Sequence, residues 1–145
     1  MSLKEYKQDL GLIAEAGLVA IKQGDERGAK ALFQAVGVLD PDSTHQEMGY
    51  GLIAMHKLEI ASALDHFATV LKQEPENHRA QAFKAFAHML AVMNPDVKSQ
   101  LSEVEHLRQS ALLAENVLKH TQETSTKELA QSIVTWQTEL HRVNH

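Results

Sequence analysis

The sequence predicts an all-α protein built from antiparallel helical hairpins stacked as a short superhelix, with further helices capping its C-terminal end. Three observations predict this fold class. Alanine, leucine, glutamate, glutamine and lysine, which favour helix, are abundant, and alternating β-branched residues are scarce. Only three prolines interrupt the chain, at Pro41, Pro75 and Pro95. Between these prolines, apolar residues recur at the spacing that places them on one face of a helix.

Composition excludes several classes of protein. The 145 residues suffice for one domain with a sizeable core, which we assign to 1–145. A formal charge of -5, spread along the chain, argues against a nucleic-acid partner. Cysteine is absent, which excludes disulfides and thiolate metal sites. Neither a signal core nor an apolar run of about 18 residues occurs, so we expect a cytoplasmic protein that does not enter a membrane.

Two helices are expected before Pro41, and they form the first hairpin. Ser2 and Glu5 have the spacing of a capping box at the start of the first helix. Gly24 is expected to end that helix, and Asp25 to cap the next one. Each helix carries one apolar stripe. The stripes are Leu10, Ile13, Gly17, Ala20 and Ile21 in the first helix, and Ala29, Leu32, Phe33, Val36 and Leu39 in the second.

The second hairpin, expected over about 44–57 and 60–73, repeats the first at the offset that separates Pro41 from Pro75. The matched pairs at this offset are Gly17 and Gly51, Leu18 and Leu52, Ala20 and Ala54, Ala29 and Ala63, Phe33 and Phe67, and Val36 and Val70. Small residues thus fall where helices must approach closely. This period, about 34 residues, and this arrangement resemble the tetratricopeptide repeat (TPR), which implies that each hairpin buries its apolar face against its neighbours.

The chain therefore divides into a first repeat over 10–43, a second over 44–77, the start of a degenerate third over 78–96 and C-terminal helices over 97–145. The run from His78 to Met93 predicts the first helix of the third repeat, with Ala85 where the other copies have glycine. Pro95 comes well before the expected stop, so the next helix is displaced or lengthened. We expect it over about 97–122. Its predicted stripe is Leu101, Val104, Leu107 or Arg108, Ala111, Ala114 and Leu118.

The last helix carries a seam of apolar residues that step by four and three. Ser125 and Glu128 have the spacing of a capping box at its start. The seam is Leu129, Ile133, Trp136, Leu140 and Val143. Such a seam either covers the end of the repeat stack or forms an interface with another protein, and we expect Trp136 to be largely buried in both cases. The candidate interface residues are Leu129, Ile133, Trp136 and Leu140.

No motif indicates an enzyme, a metal site or a cofactor. The nine histidines include no His-Glu-x-x-His pattern, and Glu103 with His106 lacks the second pair that a helical di-iron site needs. Neither a glycine-rich phosphate loop, a Gly-x-Ser-x-Gly motif nor a cysteine nucleophile occurs. We therefore expect a protein without catalytic activity.

The first helices of the hairpins are expected to line a concave groove, and that groove is apolar. TPR domains that bind the acidic C-terminus of heat-shock chaperones have lysine, asparagine and arginine along the wall of this groove. Leucine, methionine and phenylalanine form the wall here, so we do not expect a carboxylate clamp. Methionine and phenylalanine suit an extended apolar peptide, although some of these residues also suit contacts with the next repeat. The candidate groove residues are Ala14, Leu18, Ile21, His45, Met48, Leu52, Met55, Arg79, Ala82, Phe83, Phe86 and Met89, with Lys22 at the edge.

The runs LFQAVGVLDPDS and GLIAMHKLEIASALDHFATVLKQEPEN resemble the TPR chaperones of bacterial type III secretion, over Leu10 to about Met93. The resemblance implies a cytoplasmic, ATP-independent chaperone that holds an apolar segment of a secretion substrate before export. Two classes stay open, the chaperones of translocators and those of needle subunits. The alternative is a general TPR scaffold or adaptor in a protein complex. The partner would be another protein, and the sequence leaves both a homodimer and a heterodimer open.

Overall fold

The computed structural model describes residues 3–97 and 99–143, and within them the chain forms seven α-helices and no strand. The helices are α1 (Leu3–Lys22), α2 (Glu26–Leu39), α3 (His45–His56), α4 (Ile60–Gln73), α5 (His78–Met93), α6 (Glu103–His120) and α7 (Thr124–Val143). The predicted all-α fold class is confirmed, and helices that are adjacent in the chain pack against each other as hairpins. The capping box proposed for Ser2 lies outside the described residues.

The repeat period is present in the helices themselves, because α4 begins and ends exactly one period after α2. At the centre of each hairpin a phenyl ring packs against a glycine of the preceding helix. A Cβ atom placed on Gly17 would lie 2.7 Å from Phe33 Cε2, and one on Gly51 would lie 2.6 Å from Phe67 Cε1. Both rings are buried. Any side chain at either glycine would therefore overlap a core ring, which explains why the repeat has glycine there.

One turn ends three of the helices. Asp40, Glu74 and Asn94 each follow a helix and precede a proline, with φ between -141° and -128° and ψ between 74° and 78°. The carbonyl of each accepts a hydrogen bond from the backbone three residues later, at 3.1, 3.0 and 2.9 Å. The proline explains the stop, because it excludes the helical conformation from the residue before it. The first two turns join hairpins, whereas the third lies inside the third hairpin.

Because the turn at Pro95 lies inside the third hairpin, the second helix of this hairpin is displaced, as the sequence predicted. The helix is shorter than the predicted range of 97–122. The helix α6 begins at Glu103, where the Ser102 hydroxyl accepts a hydrogen bond from the Glu105 backbone at 3.1 Å. The predicted stripe is also wrong at its start, because Leu101 and Val104 are exposed. The buried face of α6 is formed by His106, Ser110, Ala114 and Val117, of which the predicted stripe contained Ala114 alone.

The last helix begins at Thr124, so Ser125 lies in its first turn and does not cap it. The Ser125 hydroxyl donates instead to the Glu123 carboxylate at 2.9 Å. The helix covers the end of the stack through contacts with α5 and α6. The chain itself does not bury Trp136 as far as predicted, because this residue is 36% exposed, although its ring centroid lies 5.7 Å from that of Phe86. Among the described residues, no helix is both long and apolar enough to cross a membrane.

The turn inside the first hairpin recurs in the second, again one repeat period later. The backbone N–H groups of Gly24 and Asp25 donate to Ile21 and Ala20, at 3.0 and 2.8 Å. Leu58 and Glu59 donate in the same way to Met55 and Ala54, at 3.0 and 2.9 Å. This pattern is the Schellman motif, whose first residue beyond the helix is left-handed. Gly24 has φ +77°, and Leu58 has φ +59° where the repeat would prefer glycine.

At positions 24 and 58, where the backbone is left-handed, glycine should give a more stable protein than alanine, whereas alanine is the more stable residue within a helix. We expect Leu58→Gly to be more stable than Leu58→Ala, and Gly24→Ala to be less stable than the parent, each by about 1 kcal/mol, because a Cβ atom strains the left-handed conformation. Urea unfolding of the three variants measures both differences. An alanine at 58 that proved more stable than glycine would contradict the repeated turn.

Candidate functional site

An open groove follows α3, with α1 on one side and α5 on the other. Two adjoining cavities of about 340 and 480 Å³ form it, and they share Leu18, Leu52 and Phe83. Met48, Leu52 and Met55 form the floor, because their spacing of four and three residues places them on one face of α3. The walls are apolar along most of their length. They comprise Ala14, Leu18 and Ile21 from α1, and Phe83, Phe86 and Leu90 from α5.

The first cavity ends in a polar rim where α3 and α5 begin. There the Glu74 carboxylate accepts hydrogen bonds from the Thr44 hydroxyl and the Asn77 amide, both at 2.9 Å. Arg79 lies 3.5 Å from Glu123, an ion pair that joins α5 to the loop before α7. The second cavity carries Lys22 and His56 at its edge. Charge therefore lies at the ends of the groove, and its middle is apolar.

The structure brings together all the sequence-predicted groove residues except Ala82 and Met89. Both of these are fully buried on another face of α5, in a cluster with Ala114, Val117 and Ile133 of the last two helices. Their assignment to the groove is therefore wrong. Helix α5 has two apolar faces because α6 and α7 pack against it, and helical spacing alone does not say which face meets which neighbour.

Three seam residues of α7, Leu129, Ile133 and Leu140, face the interior rather than an open surface, and the side chain of Val143 lies outside the described residues. Ile133 is fully buried against α5 and α6, so it is not available to a partner. Leu129 and Leu140 are half-buried and pack against the same cluster. Of the four candidate interface residues, Trp136 alone is exposed.

The cavity walls also contain residues that were not predicted as groove residues from the sequence, among them Leu58, Leu90, Phe33 and Gly49. Leu58 lies in the turn after α3, and its left-handed backbone holds its side chain at the second cavity. The repeat contained a signal for it, because the equivalent position is Gly24, which the sequence analysis placed at a helix end. Leu90 lies one helical turn beyond Phe86, so an extension of the α5 stripe would have found it.

A third cavity, of about 350 Å³, lies on the opposite face of α3 and is mainly polar. Lys57 lies 2.9 Å from Glu26 and 3.1 Å from Glu59, and Lys30 lies 3.3 Å from Glu26. Hydrogen bonds from Lys57 and Lys30 lower the pKa of Glu26, and the bond to Glu26 raises the pKa of Lys57. These charges satisfy each other. Within 3–97 and 99–143, no group of three or more potential ligands could hold a metal ion.

Comparisons of the chain with protein-family models, with curated proteins and with solved structures find no match.

A buried histidine pair holds the third hairpin together behind the groove. The Nδ1 atoms of His88 and His106 lie 2.8 Å apart, and His106 Nε2 lies 2.6 Å from the Ser99 hydroxyl. One Nδ1 must donate and the other accept, so the two rings cannot both be cations. Burial, together with the nearby His106 and Lys84 charges, lowers the pKa of His88 to about 4, and burial also lowers that of His106.

Acid should therefore destabilise the protein through this pair. A histidine whose pKa is lowered by folding binds more protons when unfolded, so stability is complete above the ordinary pKa of 6.5 and falls as the pH approaches 4. We expect the free energy of unfolding to drop by about 3 kcal/mol across this window. Urea unfolding between pH 7.5 and 4 measures the drop, and the neutral variant His88→Gln should make it smaller, with the remainder due to His106. An equal drop in the variant would contradict this role of His88.

Proposed function

We propose that this protein is a TPR-type chaperone that binds an apolar segment of another protein in the groove along α3. The observation that supports this proposal is the continuous apolar lining of two adjoining cavities that open to solvent. Half-buried side chains such as Leu18, Leu52 and Phe83 pack on the core with one side and present the other to the groove. A partner segment would remove this remaining apolar surface from water, which favours binding.

The dimensions of the groove suit a short segment. The floor helix has 12 residues, which corresponds to about 18 Å along the groove. An extended chain spans this length with roughly five or six residues, and a helix spans it with about 12. Each cavity has the volume of a typical ligand pocket, roughly 300 to 1,000 Å³.

The distribution of charge disfavours an acidic terminus as the ligand. Two cationic side chains line the cavities, Lys22 and Arg79, and they lie in different cavities. Arg79 is already paired with Glu123. A carboxylate would therefore meet no cluster of cations, whereas aliphatic and aromatic side chains would meet leucine, methionine and phenylalanine.

The resemblance to type III secretion chaperones suggests the class of partner. In that case the bound segment belongs to a translocator or needle subunit, which the chaperone holds in the cytoplasm before export. The alternative is a TPR adaptor that joins proteins of a stable complex. The two functions differ in what happens to the partner alone, because an export substrate aggregates without its chaperone. Coexpression with candidate substrates and assay of their solubility distinguishes these functions.

The variant Leu52→Glu should abolish this binding while the protein remains folded. Leu52 lines both cavities, so a glutamate there would bury an unpaired charge in the complex at a cost of several kcal/mol. In the free protein the groove is open to water, and we expect helicity and melting temperature to change little. Circular dichroism beside copurification with a coexpressed substrate tests both expectations.

The matched control is Leu112→Glu, because Leu112 is 53% exposed on α6 and lines neither cavity. It should leave both folding and copurification unchanged. If the Leu52→Glu protein unfolds, Leu52 is required for folding and the variant gives no support to a role in binding. One that folds and still retains the partner would move the binding surface away from the groove.

A further inference from the structure

The last helix lies where the first helix of a fourth hairpin would lie. In each complete hairpin the first helix contacts the second, the second contacts the first helix of the next hairpin, and the two first helices contact each other. The same three contacts recur among α5, α6 and α7. Helix α7 therefore lies beside α5 as α5 lies beside α3, in the row of first helices that line the groove.

The starts of these helices support the same alignment. The polar rim of the first cavity contains residues that directly precede three of them, namely Thr44 before α3, Asn77 before α5 and Glu123 before α7. Arg79 of α5 lies 3.5 Å from Glu123, and this ion pair joins the starts of α5 and α7. Helix α7 thus begins at the same end of the groove as α3 and α5.

One aromatic contact continues the apolar wall of α5 onto α7. Phe86 lines the second cavity, and its ring also contacts the indole of Trp136, with centroids 5.7 Å apart and planes inclined by 41°. Trp136 is 36% exposed, although Ile133 on the same helix is fully buried. Tryptophan side chains that are partly packed and partly open to water contribute strongly to protein interfaces.

We propose that the binding groove extends past the second cavity onto α7, where Trp136 contacts the apolar segment of the bound partner. This inference rests on the proposed function and lengthens its site. The segment would leave the second cavity over Phe86 and cover the open face of the indole. Packed helices lie about 8 to 10 Å apart, so the step from α5 to α7 requires roughly three further residues of an extended chain.

The surroundings of Trp136 indicate the side chain that it would contact. Ser132, one turn before Trp136, is small, and Glu139, in the turn after it, lies 3.7 Å from Arg142. The large apolar surface at this point belongs to the indole. An aliphatic or aromatic side chain of the segment would therefore gain most from this contact.

Tryptophan occurs once in the chain, so 5-fluorotryptophan labels position 136 alone. We would titrate the labelled protein with an acetylated and amidated peptide of nine alternating leucine and serine residues, and record fluorine-19 NMR spectra. The peptide should shift the signal saturably and remove about half of its isotope shift between ordinary and heavy water, because it covers the indole. A signal that keeps its position and its isotope shift at saturating peptide would overturn the proposal.

Peptide length and matched variants test the same contact by affinity. The nine-residue peptide should bind the parent at least about tenfold more tightly than a six-residue peptide of the same pattern, which suffices for the groove along α3 alone. Trp136→Gln should remove most of this gain, whereas Trp136→Phe should retain it. The control is Val104→Gln, because Val104 is 75% exposed on α6 and lines neither groove cavity. An equal gain in a folded Trp136→Gln protein would overturn the proposal.

A second copy of this chain is the other occupant to test at Trp136. If a second copy covered the indole, the fluorine signal of the free protein would change on dilution, and this result would overturn the proposal in favour of a dimer. A signal that is independent of protein concentration is the expected result.

The outcome separates this inference from the proposed function. A protein that loses its coexpressed substrate on Leu52→Glu, but whose Trp136 signal does not respond to the nine-residue peptide, would retain the groove function and lose the extension onto α7. A protein whose Trp136 signal responds to the peptide, but which retains its substrate on Leu52→Glu, would retain the peptide-binding surface and lose the proposed partner site along α3.

Discussion

The contact between a phenyl ring and a glycine of the preceding helix sets the distance between helices in both complete hairpins. Phe33 against Gly17 and Phe67 against Gly51 fix the same approach of two helices in successive repeats. Because the rings are buried, they cannot move aside without opening the core. The equal length and spacing of α2 and α4 accompany this repeated contact, as do the equivalent Schellman turns that end α1 and α3.

The third hairpin lacks this contact and is built differently. One face of its first helix, α5, remains open to the groove, and the opposite face is covered. Ala85 replaces the glycine, and Leu101, the counterpart of Phe67, lies exposed before α6. The second helix of this hairpin packs on α5 through an apolar cluster that includes Ala114 and Val117, and polar groups add to this contact. The Ser110 hydroxyl donates to the Ala85 carbonyl at 2.9 Å, and the His88–His106 pair lies on the same face. The groove thus has α5 as its wall, while α6 and α7 cover the other face of that helix.

Much of this fold could be predicted because the helices and turns of each repeat are indicated by residues close together in the sequence. Proline and glycine mark the turns, and residues of the first hairpin recur in the second hairpin at the repeat period. The start of α6 was misplaced although Ser102 and Glu105 have the spacing of a capping box, because the stripe was extended back to Leu101 instead. Ala114 was predicted on the buried face of α6, but His106 and Ser110 were missed because they are polar, and their burial depends on partners in other segments. Ala82 and Met89 were misassigned for a related reason, since spacing does not identify the helix that covers a face. The same limit applies to Trp136, whose exposure depends on how far α7 covers α5.

The most direct test of this account is a double-mutant cycle between Gly51 and Phe67. A methyl group at 51 would overlap the Phe67 ring, so Gly51→Ala should cost more than about 1 kcal/mol in the parent and much less when Phe67 is replaced by leucine. Gly11→Ala is the control, because a methyl group there would meet nothing within 4 Å; its effect should be the same in both backgrounds. A coupling of at least about 1 kcal/mol between Gly51 and Phe67 is the predicted result. Equal costs of Gly51→Ala with phenylalanine and with leucine at 67 would contradict the claim that this contact sets the hairpin repeat.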